Sequence, residues 1–110
     1  MTATTHTIYD GNFSSKQVEM LGAPGVARQL TAGSASSNTA LTSTISRISI
    51  RATGGDIRFS IGSTSQTANG NTSHFIANGE RLDFAVPEGA NIAVIRAGTV
   101  NGTLELTELI

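Results

Sequence analysis

From Ile45 onward the chain alternates apolar and polar residues with a period of two. Ile48, Ile50 and Ala52 share one phase, and Arg47, Ser49 and Arg51 the other. Such alternation predicts a half-buried β-strand. Gly54-Gly55 follows, a two-residue hairpin signal, and Ile57, Phe59 and Ile61 then alternate with Asp56, Arg58 and Ser60. A hairpin closed there would set Arg51 and Arg58 near polar groups across the strands. A Gly/Ser/Thr/Asn-rich loop over Gly62–Thr72 precedes a short strand at His74, Phe75 and Ile76. Asn78-Gly79 is a type I′ turn signal. Leu82, Phe84 and Val86 alternate with Arg81, Asp83 and Ala85, up to a turn at Pro87-Glu88-Gly89. Ile92 to Ile95 is a continuous apolar run, expected of a central strand covered on both faces. A second type I′ signal, Asn101-Gly102, leads to a last strand in which Leu104 and Leu106 alternate with Thr103, Glu105 and Thr107. The expected fold is therefore all-β: an antiparallel β-sandwich, jelly-roll-like, with an N-terminal arm or long loop.

The first part of the chain reads differently. Asp10-Gly11 looks like a turn between two short strands, and Val26 to Leu30 suits another. Gln17 to Leu21 is long enough for one helical turn only, and it stands next to Gly22, Pro24 and Gly25. Thr31 to Thr44 holds eight Ser/Thr in fourteen residues, as a long loop or an arm ordered on a partner would. The division expected is an N-terminal arm with possible first strands over residues 1–44 and a sandwich core over 45–110, in one structural domain.

Composition narrows the function. The 110 residues suit one domain, and one this small gains modest stability from its own core. There is no cysteine, which excludes disulfides, thiolate metal sites and a Cys nucleophile. A net charge of −1 argues against a nucleic-acid or anionic-membrane partner. No apolar run approaches a membrane span, and Met1 to Asp10 lacks the features of a signal peptide. Charged residues make up 14%, against roughly 25% in an average domain. Six of the seven basic residues are Arg, the cation that interfaces favour, and only Lys16 is Lys. No charged residue lies from Gln29 to Ser46, nor, with His74 neutral, from Phe59 to Gly79. Neutral hydroxyl-bearing surface is easier to bury in an interface than charge.

Candidate chemistry is thin, and neither catalytic residues, cofactor nor metal is expected. His6 and His74 have no local partner at metal-ligand spacing. The carboxylates (Asp10, Glu19, Asp56, Glu80, Asp83, Glu88, Glu105, Glu108) read as solvated or Arg-paired surface groups. Glu80 and Asp83, three apart on a strand, face opposite sides, so they make no catalytic pair. There is no Gly-x-Ser-x-Gly elbow, and Gly22-Ala-Pro-Gly25 lacks the Lys and helix of a phosphate loop. The Asn-x-Ser/Thr matches at Asn12, Asn71 and Asn101 are expected by chance in so Ser/Thr-rich a chain. The aromatics are Tyr9, Phe13, Phe59, Phe75 and Phe84, too few for a stacking platform; the last three are expected in the core.

One set of residues goes further: Arg47–Ala52, Asp56-Ile-Arg-Phe-Ser-Ile-Gly62, Val86-Pro-Glu-Gly89, Ile92-Ala-Val-Ile-Arg96 and Gly102-Thr-Leu-Glu-Leu-Thr-Glu-Leu109. It resembles a group of small tailed-phage virion proteins. They share a strand ending in Ile-Gly, a Pro-x-Gly turn, an Ala-Val-Ile-Arg strand and a terminal Gly-Thr-Leu…Thr-Glu strand. The resemblance spans about residues 45–109 and leaves out the first 44. It implies a capsid decoration (cement) protein on the outer surface of the phage head, made in the host cytoplasm. The implied partner is the major capsid protein, and the implied assembly a homo-oligomer, with a trimer the expected form. The alternative is a receptor- or glycan-binding tail or fibre module, its polar end built from Gly62–Thr72 and the turns at Asn78 and Asn101. A small hydrolase is the remote third option, needing His74 and a carboxylate to converge in one pocket.

Overall fold

The computed structural model describes residues 23–110 in full and, ahead of them, the backbone of two short strands. These are β1 (His6–Tyr9) and β2 (Ser15–Val18), paired antiparallel from His6↔Val18 to Tyr9↔Ser15. The expected turn at Asp10-Gly11 and the rest of the expected helical turn after Val18 lie outside the described residues, as do the side chains of His6, Tyr9, Asp10, Phe13 and Glu19.

Eight further strands build the sandwich: β3 (Pro24–Ala32), β4 (Ser37–Ala40), β5 (Arg47–Thr53), β6 (Ile57–Gly62), β7 (His74–Ile76), β8 (Arg81–Ala85), β9 (Asn91–Arg96) and β10 (Gly102–Leu109). They form two four-stranded sheets, ordered β3-β10-β5-β8 and β4-β9-β6-β7, with every pairing antiparallel. Eight strands in two interleaved antiparallel sheets make a jelly roll. The all-β, jelly-roll-like sandwich expected from the sequence is the fold of the chain.

The alternation places the core. Ile48, Ile50 and Ala52 of β5, Ile57 and Phe59 of β6, Ile92 and Val94 of β9, and Leu104 and Leu106 of β10 are buried between the sheets. β9 lies between β4 and β6, as its continuous apolar run predicts, and Ile92, Ala93 and Val94 are all buried.

Two expectations need correction. The boundary at residue 44 does not divide arm from sandwich, because β3 and β4 are strands of the two sheets. Thr31–Thr44 is thus largely part of the sandwich. The other concerns the turns. β5 pairs with β10 and β8, and β6 with β9 and β7, so Gly54-Gly55 does not close a hairpin. It carries the chain from one sheet to the other. The Asn78-Gly79, Pro87–Gly89 and Asn101-Gly102 turns do the same. Within the sandwich only β6 and β7 are both consecutive and paired. Turn residues report a reversal of direction, not which strands become neighbours. Gly54 and Gly79 do sit at positive φ, 81° and 87°, where other residues are strained.

Candidate functional site

The outer face of the first sheet carries charge in register. Gln29, Glu105, Arg51 and Arg81 lie in one cross-strand row, and Ala27, Thr107, Ser49 and Asp83 in the next. The Gln29 side-chain amide donates to Glu105 at 3.1 Å. The Arg81 Nε–H donates to Ser49 Oγ at 3.1 Å and, more loosely, to Asp83 Oδ1 at 3.4 Å. A hydrogen bond from Ser49 holds the Asp83 carboxyl below its ordinary value; burial opposes it, and Arg81 and Arg47 assist. A shallow hollow of about 270 Å³ on this face is edged by Arg51, Arg81, Glu105 and Thr107.

Apart from Arg58, the outer face of the second sheet is built from neutral groups. Its central row is Asn38, Ala93 and Ser60, from β4, β9 and β6. The β6–β7 loop lies over it. The Gln66 N–H donates to Asn38 Oδ1, and Ser60 Oγ donates to Gln66 Oε1, both at 2.8 Å. Gln66 thus straddles Ala93, which is 0% exposed although it points away from the core. The Ala68 N–H donates to Ser36 Oγ at 2.8 Å, and Ala68 is buried as well. Asn38 also donates to Asn91 Oδ1 at 3.1 Å. At the loop's end the Asn69 carboxamide accepts from the Asn71 and Thr72 N–H groups, an Asx-type turn. The two charge-free stretches, far apart in sequence, therefore meet on one face. Its cation, Arg58, donates to the Ser73 carbonyl at 2.7 Å and lies 5.2 Å from the Phe75 ring centroid.

Phe75 is 46% exposed, which corrects its expected place in the core. It pairs with Arg58, an outward position of β6. Phe59 is buried and Phe84 packs partly against the core. His74 lies at 5.5 Å from Phe59, beside an apolar cleft of about 370 Å³ between the sheets. No carboxylate lines that cleft. Among the described residues no group of three His, Asp or Glu side chains could hold a metal ion. Glu80 accepts from the Ala77 N–H and Asp56 from the Asn78 N–H, so both brace turns. The loops at Gly54, Asp56, Asn78 and Val100 share one end of the sandwich and edge a hollow of about 270 Å³. The middle of the Gly62–Thr72 loop does not join them; it is tied down over the sheet.

Glu108 departs most from its expected surface role. It follows Leu104 and Leu106 in the inward phase of β10 and is 1% exposed. Burial alone would raise its carboxyl pKa. The Thr42 hydroxyl and N–H, the latter at 2.9 Å, and Arg28 at 3.1 Å outweigh that and hold it below the ordinary value. The cluster ties β10 to β3 and to the β4–β5 connection. Extending the Leu104, Leu106 phase by two residues is the sequence signal for it; Arg28, opposite inward Leu106, is the same kind of signal on β3.

No protein-family model matches the chain, and no curated protein matches it. Among solved structures, the chain is similar to PirA at 18% identity and a TM-score of 0.51, over 74% of this chain and 92% of that one. It is also similar to the cupin domain of Schizosaccharomyces pombe Cnp3 at 13% identity and a TM-score of 0.46, over 96% and 81%. The likeness to PirA is one of fold alone.

Proposed function

We propose that the protein is a structural component of a tailed-phage virion, a decoration protein that binds the assembled head through the outer face of its second sheet. The observation that carries this reading is the meeting of the two charge-free stretches on that face, pinned by Gln66 and Ala68. Exposed Thr64, Thr67 and Asn71 offer hydroxyls and amides there, groups that a partner can cover without stranding a charge. Phe75 adds an exposed ring, and aromatic rings anchor interfaces. The sequence resemblance supplies the kind of partner: the major capsid protein on the outside of the head.

In this reading the protein works by linkage and has no reaction to catalyse. It binds the closed shell and not dispersed subunits, so its binding free energy at many sites adds to shell stability. Heads purified with and without the protein should differ in resistance to heat or osmotic shock. Equal resistance, or absence of the protein from purified heads, would overturn the proposal. The tail-tip alternative has less behind it. Phe75 is the one large exposed ring among the described residues, and glycan sites usually stack sugars on several.

A further inference from the structure

The two sheets close unequally at one edge. β7 has three residues and pairs with β6 only from Ile57↔Ile76 to Phe59↔His74. Beyond that point Ser60, Ile61 and Gly62 have β9 on one side and no strand on the other. Facing them across the sandwich, β8 is the edge of the first sheet, and its inward Leu82 and Phe84 are only partly buried. The gap is the 370 Å³ cleft, walled by Phe59, Ile61, Leu82 and Phe84, with His74 and Pro87 at its margin. Phe59 and Phe84 stack there with ring centroids 6.0 Å apart. A free strand edge beside an apolar wall is the geometry that accepts an added strand. The backbone extends the sheet while alternate side chains fill the cleft.

The chain itself holds a candidate occupant. β1 and β2 pair only with each other and belong to neither sheet of the sandwich. A lone two-stranded hairpin is marginal in water, so it gains by adding to a larger sheet. It precedes β3, which is the edge of the first sheet opposite β8. Three strand spacings, about 14 Å, separate those edges. The hairpin therefore joins the body at one edge, and the slot opens at the other. Of its two strands, β1 is free of Asp, Glu, Lys and Arg, whereas β2 contains Lys16.

We infer that β1 of one copy adds to the free β6 edge of a second copy and covers the cleft between β7 and β8. The contact is head-to-tail: one edge of each copy meets the opposite edge of the next. Such contacts close into rings when the rotation permits, and a ring of three would give the trimer that the resemblance implies. The inference rests on the cleft and not on the neutral face, so head binding and self-assembly can fail separately.

The test uses full-length protein without heads. The chain has no cysteine, so introduced thiols report cleanly. Chains carrying His74→Cys are mixed with chains carrying Thr7→Cys or Ile8→Cys and then oxidised. Neighbouring strand residues face opposite sides, so one of the two should form the cross-chain disulfide. Light scattering of the unmodified protein should show an assembly larger than a monomer. Substituting His74→Asp at this exposed margin should weaken assembly about tenfold or more, because it buries a charge in the slot. A monomer that forms no cross-chain disulfide would overturn the inference. So would a chain with both thiols that closes only within itself, since that places the hairpin in its own slot.

Discussion

The two outer faces of this sandwich are held by different physics. On the first sheet, Glu105, Arg51, Arg81 and Asp83 lie in open cross-strand rows, paired loosely and wetted by solvent. On the second, a neutral loop is bolted down through Gln66, Ser36 and Asn38, buries Ala93 beneath it and tucks in its own Ala68. Exposed ion pairs contribute little to stability, whereas a satisfied network of neutral hydrogen bonds over packed side chains resists opening. The neutral face, whose one cation among the described residues, Arg58, donates to the Ser73 carbonyl, carries fewer charges for a partner to cover.

The sharpest way to break that comparison is to put the same charge on each face. Ala93→Glu forces a carboxylate under the Gln66 bridge and should cost about 3 kcal/mol or more, read by urea unfolding. Thr107→Glu, on the charged face, should stay within about 1 kcal/mol. Equal costs would mean that the loop is not packed on its sheet.

The interior offers a second contrast. Arg28→Ala leaves the Glu108 carboxylate with the Thr42 donors alone and should cost about 2–3 kcal/mol; the figure is kept below that for a fully buried pair because Arg28 is 27% exposed. The sign of the pH effect follows from the depressed pKa. Glu108 contributes full stability above its unfolded value, near the ordinary 4.5, and loses it as pH falls from there through the lower folded value. Glu108→Gln should flatten the stability profile in that acid range. An unchanged acid slope in this variant would remove Glu108 from the account.

Most of this architecture was legible in the sequence. The period of two located β5, β6, β8 and β10, the turn signals bracketed β7, and the apolar run marked β9 as central. Sheet order was not legible. Gly54-Gly55 and Asn78-Gly79 are the same residues whether a turn closes a hairpin or crosses between sheets, since both need positive φ. β4 was hidden because an edge strand such as Ser37–Ala40 needs little apolar content. Phe75 was misplaced because β7 is too short for its phase to be read, and Glu108 because an Arg partner from β3 compensates for its burial. The neutral stretches were legible as stretches; that they share a face depends on the jelly-roll crossing.

Smaller effects sharpen the comparison further. Arg81→Ala should cost less than about 1 kcal/mol, and the difference should shrink with added salt, as an exposed pair requires. Thr67→Glu, at an exposed loop position, should leave stability within about 0.5 kcal/mol and yet weaken binding to heads. Unchanged head binding in Thr67→Glu would detach the neutral face from the proposed role.

The most direct test of that role is hydrogen–deuterium exchange of the full chain, free and bound to purified heads. Protection on binding should fall on residues 36–40 and 63–75, with little change at Arg51, Arg81 and Glu105. Protection concentrated on the charged rows, with residues 63–75 exchanging as in the free protein, would contradict it.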